Sequence, residues 1–199
     1  MHSIYVEGPG DKKFVEDFIK LISLDNLISE VTPVGGWPGL RLLGPKLLER
    51  FDLGGKNLVV FDADSDKENK ERWLDELENE LNSELLDRDK GQFNIESQAS
   101  LKFERFFFPN NHDEGELETL LLQCINQEHS HILDCFEAYK VCIANQNQYV
   151  LPDNKSKIYA YCQAILGKNK RNYLDKRLWN FDNFNAKPFK DFLLNSIVA

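Results

Sequence analysis

The chain has 199 residues, 42% hydrophobic and 29% charged, with a formal net charge of −9. That length and balance suit one sizeable globular domain and exclude a disordered chain, a collagen-like repeat and a disulfide-stapled miniature. An acidic total also excludes a uniformly basic nucleic-acid binder.

Ser3–Val6 (SIYV) reads as a short strand that stops at Glu7-Gly8-Pro9-Gly10. Asp11 then serves as a helix N-cap, with Phe14, Phe18, Leu21 and Ile22 recurring at helical spacing. Ile28–Val34 reads as a second strand, closed by Gly35-Gly36-Trp37-Pro38-Gly39. Leu40, Leu43, Leu47, Leu48 and Phe51 predict a second helix, interrupted near Gly44-Pro45. Leu58–Phe61 (LVVF) is an unbroken apolar run, the mark of a central strand covered on both faces, and it ends in Asp62-Ala63-Asp64. A long charged helix follows from Asp66 to about Asp89, with Trp73, Leu74, Leu77, Leu81 and Leu85 on one face. Phe103–Phe108 reads as a fourth strand, and Gly115-Glu116-Leu117-Glu118 opens another helix. Beyond about Ser130 the pattern is helical, with a loop over Asn145–Asn154. Strands alternating with helices predict an α/β fold: a mostly parallel four-stranded sheet flanked by helices, with right-handed crossovers. The expected organisation is a core over 1–128 and a helical C-terminal extension over 129–199 packed on it as one compact unit.

No apolar run approaches the ~20 residues of a spanning helix. The N-terminal MHSIYVEGPGD has no basic segment and no long apolar stretch. A cytoplasmic protein without a membrane span is therefore expected. Cys124, Cys135, Cys142 and Cys162 form no C-x-x-C pair, and His2, His112, His129 and His131 form no H-E-x-x-H. The cysteines are expected as buried, reduced thiols in helices.

Charge is unevenly distributed: residues 62–90 carry a net −7 and residues 150–199 a net +5. More telling is where the acids fall. Ligands of open parallel sheets bind beyond the carboxyl ends of the strands. Glu7 follows the first strand, Asp62 and Asp64 the third, and Glu116 and Glu118 come shortly after the fourth. Carboxylates gathered there repel one another unless a cation intervenes, and Mg²⁺ prefers carboxylate oxygen. Single acids after strands often just cap helices, but several converging clusters favour a metal site. An EF-hand starting at Asp62 would need Gly at 67 and Glu at 73, where Lys67 and Trp73 stand. A haloacid-dehalogenase-type phosphotransferase would place its D-x-D on the first strand, followed by Thr. Gly8-Pro9-Gly10 matches neither a dinucleotide fingerprint nor a P-loop.

Ile4-Tyr5-Val6-Glu7-Gly8 with Asp11, then Leu58-Val59-Val60-Phe61-Asp62-Ala63-Asp64, resembles the topoisomerase–primase (Toprim) fold. The Glu-Gly-x-x-Asp opening and the Gly-x-Leu-Glu after the Phe-rich strand look most like Toprim domains of overcoming-lysogenization-defect (OLD) type nucleases. They look closer still to short stand-alone bacterial relatives of that group, of unassigned function. The resemblance spans about residues 3–125. It implies metal ligation by Asp62 and Asp64, with Glu7 as ligand or general base. It aligns Asp11 with the second acid of the first motif, where Glu is more usual, and Glu116 and Glu118 with acids beside a second metal. It offers Lys155 and Lys157 for the lysine of the nuclease-type relatives. It further implies Mg²⁺, replaceable by Mn²⁺, and nucleic acid as partner; since this sequence carries no ATPase domain, either a separate ATPase partner supplies one or the chain has another role.

The expected function is therefore Mg²⁺-dependent phosphodiester cleavage, with two ions ~4 Å apart dividing activation of water from stabilisation of the leaving oxygen. The alternative is a non-catalytic Toprim-like binding or regulatory module. A further expectation concerns Lys168, Lys170 and Arg171, interleaved with Tyr173 and Trp179. They would hold a phosphate backbone, or else form a solubilising surface with both aromatics turned inward.

Overall fold

The computed structural model describes residues 1–89, 100–146, 148–168 and 171–198. Its strands are β1 (His2–Val6), β2 (Ile28–Pro33), β3 (Asn57–Asp62) and β4 (Phe103–Phe108). The helices are α1 (Pro9–Leu21), α2 (Gly44–Asp52), α3 (Lys67–Asp89), α4 (Leu117–Gln123), α5 (His131–Ala144), α6 (Asn154–Leu166) and α7 (Lys187–Val198). The four strands form one sheet in the order β2-β1-β3-β4, every pair parallel. The chain is an α/β protein.

The period-two geometry of the strands divides the core into two layers. Ile4, Val6, Leu58, Val60, Phe106 and Phe108 face α1, α4, α6 and α7. Tyr5, Val59, Phe61 and Phe107 face α2 and α3. Both faces are covered, which is why LVVF and FFF are unbroken apolar runs rather than alternating ones. On the first face Phe189 of α7 is fully buried, with ring centroids 5.0 Å from Phe18 and Phe106 and 5.2 Å from Phe108. The last helix thus packs into the same layer as the first.

α1 carries the step from β1 to β2 across one face, and α3 carries the opposite step, from β3 to β4, across the other. The connections diverge between β1 and β3. This is the switch point at which open α/β sheets leave a crevice beyond the strand ends. Val6 pairs with Val60, so Glu7 emerges level with Phe61, one residue before Asp62.

Some expectations need correction. Gly8, not Asp11, is the N-cap of α1; Asp11 lies in the first turn and its Oδ2 accepts the Gly8 N–H at 2.8 Å. A carboxylate can cap from either place, because both reach the unpaired N–H groups of the first turn. The interrupted second helix is a 3₁₀ segment, Trp37–Leu43, followed by α2 with Pro45 in its first turn, where a missing N–H costs little. Cys124 and Cys162 are buried, but Cys135 and Cys142 are exposed, since α5 buries none of its side chains fully. Among the described residues no helix is long and apolar enough to cross a membrane.

Candidate functional site

Glu7 is pinned at the switch point from both sides. Its carbonyl accepts the N–H groups of Gly35 and Gly36, each at 3.0 Å. Gly36 holds a φ of 92°, which a residue with a Cβ rarely adopts. Its side-chain Oε1 accepts the Asp62 N–H at 3.2 Å, tying the end of β1 to the end of β3. Asp62 Oδ1 accepts the Leu117 N–H at 2.8 Å, so the same carboxylate also anchors the start of α4.

Asp64 sits in the left-handed region, φ 50°, a conformation Asp tolerates better than most side chains. Its backbone exchanges two hydrogen bonds with Gly115, at 2.8 and 3.1 Å. Gly115 has φ 137°, and a Cβ there would stand 2.9 Å from Thr119 Oγ1. That backbone clasp joins the β3 turn to the β4–α4 loop and brings Glu116 toward Asp64.

A buried cation occupies the middle. Lys70 of α3 is 2% exposed, and its ammonium donates to Glu7 Oε1 at 2.8 Å, Asp62 O at 2.8 Å and Asp64 Oδ2 at 2.7 Å. Burial alone would lower its pKa, but the contacts to Asp64 and Glu7 outweigh burial and hold it above the ordinary lysine value. One cation does not balance the cluster. Burial pushes Asp62 up to about 8, with the charges of Asp11, Glu7 and Asp64 adding to it and the Leu117 N–H opposing. Burial likewise raises Asp11 to about 6, aided by Glu118 and Glu7 and opposed by Gly8 and Lys155. Glu116, the N-cap of α4, is raised by burial, then by Glu118.

The remaining sequence candidates divide. Glu118 is buried and paired with Arg171 at 2.5 Å, so it lies beside the cluster with its charge already answered. Lys155 is exposed at the start of α6, where its charge still lowers the pKa of Asp11. Lys157 is bound to Glu137 of α5. Lys168 is exposed, and Lys170 lies outside the described residues. Arg171 is not a free phosphate contact: besides Glu118 it touches the Tyr173 hydroxyl and stacks 4.7 Å above Tyr159. Tyr173 and Trp179 are both turned into the core.

Lys70 and Arg171 are the residues whose roles the sequence reading missed. Lys70 had a legible signal: it falls four residues before Leu74 and seven before Leu77, on the buried stripe of α3. Arg171 had none, because its partner lies 53 residues away.

The donors facing this crevice are hard oxygens already gathered about a positive charge, which fits a hard divalent ion in kind. Among the described residues, no three Asp, Glu, His or Cys side chains stand at a common metal-ligating distance. Around Lys70, two carboxylates and a carbonyl accept an ammonium at 2.7–2.8 Å, whereas Mg²⁺ draws oxygens to about 2.0–2.1 Å.

A family model described as "Protein of unknown function (DUF3226)" matches residues 1–197. Neither the curated proteins nor the solved structures contain a match to the chain.

Proposed function

The chain belongs to the DUF3226 family, and we propose that it is a Toprim-like protein that cleaves phosphodiesters of nucleic acid with a divalent metal. The observation that carries this reading is the convergence of Glu7, Asp62 and Asp64 on one cation at the β1–β3 switch point. Convergence of this kind is costly, since burial and the neighbouring carboxylates raise Asp62 and Asp11, and such groups gather at functional sites.

Bound there, Mg²⁺ or Mn²⁺ would supply Lewis acidity toward a phosphodiester and an activated water. The chain's own residues divide the remaining work. Asp62 and Asp64 present oxygen ligands from the end of β3 and its turn. Glu7, held between β1 and β3, is placed to ligate or to take a proton from water. Asp11, Glu116 and Glu118 extend the acidic surface toward a second ion, with Arg171 holding Glu118 in place. Lys155, exposed beside Asp11, is available to a phosphate; Lys157 is engaged with Glu137.

Glu7→Gln should leave the fold intact and remove Mn²⁺-dependent cleavage of nucleic acid, since loss of a general base costs about 10²–10⁴ in rate. A fully active Glu7→Gln protein would sink this assignment.

The second reading, a non-catalytic Toprim-like binding or regulatory module working with a separate ATPase partner, draws on Lys70. A buried lysine that already answers Glu7 and Asp64 leaves the site partly neutralised without any metal. Normal Mn²⁺ binding with no cleavage, alone or with cell extract, would make that the better account.

A further inference from the structure

Lys70 stands out because all three of its ammonium hydrogens are spent inside the acid cluster. Its acceptors are Glu7 Oε1, Asp62 O and Asp64 Oδ2, at 2.8, 2.8 and 2.7 Å. None is left for a substrate phosphate. The stem reaches these acceptors from the first turns of α3, and at 2% exposure the side chain is sealed from solvent. Burying a lysine this completely is costly, and it is tolerated because Glu7 and Asp64 lie against the charge.

Two of the three acceptors belong to carboxylates that a metal at the strand ends would use. An ammonium holds them near 2.8 Å, and a Mg²⁺ would hold them about 0.7 Å closer. Serving both cations at once would hold an ammonium and a divalent ion within a few ångströms of each other, where they repel. Asp11 and Asp62 moreover crowd the same cluster as Glu7 and Asp64, more carboxylates than one ammonium contacts, whereas a divalent ion supplies two charges. The outer wall of the cluster is open, because Asp64 is 53% exposed.

We propose that Lys70 is a built-in counter-cation that occupies the strand-end cluster in the metal-free protein and is displaced to the surface when a divalent ion binds. This rests on the metal-binding reading above and adds to it an exchange of one cation for another. Lys70 would thereby set the metal affinity of the site and keep the empty cluster from repelling itself apart. It is a positioning residue, not a catalytic one.

The exchange is read without any activity assay, on the intact chain. The wild type is treated with an acetylating N-hydroxysuccinimide ester, with EDTA or with saturating Mn²⁺, and the modification of Lys70 is measured by peptide mass spectrometry. Sealed in the absence of metal, Lys70 should be modified at least tenfold more in Mn²⁺. In parallel, Mn²⁺ alone is titrated calorimetrically into wild type and Lys70→Met. The variant should bind Mn²⁺ at least tenfold more tightly, melt lower than wild type in EDTA, and recover the difference in Mn²⁺.

Lys70 still protected in Mn²⁺-saturated wild type, or Mn²⁺ binding no tighter in Lys70→Met, overturns the exchange and leaves the metal site standing. Binding to Lys70→Met with none to wild type also overturns it, in favour of a lysine that shuts the site permanently. Failure of both proteins to bind removes the metal reading itself. The labelling arm needs no variant, so it decides the matter even if Lys70→Met does not fold.

Discussion

Asp62 bears more strain than the other acids at the strand ends. It is held up to about 8 by burial first and by Asp11, Glu7 and Asp64 after that. The consequence for stability runs opposite to that of an ordinary salt-bridged carboxylate. Between its unfolded value near 4 and about 8, folded Asp62 keeps a proton that the unfolded chain has released. Its contribution is fully present below about 4 and is lost as pH rises toward 8. The metal-free protein should therefore lose melting temperature between pH 5 and 8, and Asp62→Asn should lose clearly less (pH values on the order of the folded and unfolded limits). Equal slopes in the two proteins, measured in EDTA, would show that Asp62 does not carry this strain. A ligand carboxylate must also be deprotonated, so Mn²⁺ affinity should climb over the same range and each ion bound should release protons.

Two of the contacts that join elements at this site invite a direct test. The first is the backbone clasp between Asp64 and Gly115. Gly115→Ala meets both an unfavourable φ of 137° and a Cβ 2.9 Å from Thr119 Oγ1. Urea denaturation should register a loss of about 1–3 kcal/mol, and the Mn²⁺-induced rise in melting temperature should shrink because Asp64 loses its support. An unchanged Mn²⁺ response would mean that the clasp does not position Asp64. The second is the buried Glu118–Arg171 pair, which links α4 to the segment after α6. Removing one partner strands a buried charge, so Arg171→Met should cost about 3–5 kcal/mol, and adding Glu118→Gln should return part of it. Additive losses would argue against a coupled pair. Arg171 is thus a poor choice for testing phosphate contacts; Lys168→Ala, at an exposed position, is the cleaner probe.

Across the whole molecule, both faces of one sheet are covered, and each cover carries its own tryptophan reporters. Trp37 and Trp73 pack edge to face at 5.0 Å on the side of α2 and α3, while Trp179 lies among Tyr161, Tyr173 and Phe181 on the other. Because the sheet is shared, urea should unfold both sides in one transition, with the fluorescence of Trp179→Phe, which reports the α2–α3 side alone, and the circular dichroism of the same protein giving one midpoint. Two midpoints would reveal separately folding parts. Phe189→Ala empties a fully buried position among five aromatic rings and should cost about 3–5 kcal/mol. A loss below 1 kcal/mol, far under the order expected for a buried ring, would mean that α7 is not a structural part of that layer.

The sequence by itself determined the α/β class and the order of strands and helices. The reason is local: alternation, apolar runs such as LVVF and turn residues such as Gly35-Gly36 depend on neighbours along the chain. It also made the strand-end acids legible, because a parallel sheet puts every carboxyl end on one edge, and Glu7 and Asp62 stand where strands stop. Tertiary structure alone decided which charges are answered and by whom. Lys70 reaches Glu7 across 63 positions and Arg171 reaches Glu118 across 53, and no periodicity encodes either pairing. Nor does periodicity say that Tyr173 and Trp179 turn inward while Cys135 and Cys142 stay out. Those outcomes follow from which helix face meets the sheet, and that is settled only when the layers pack.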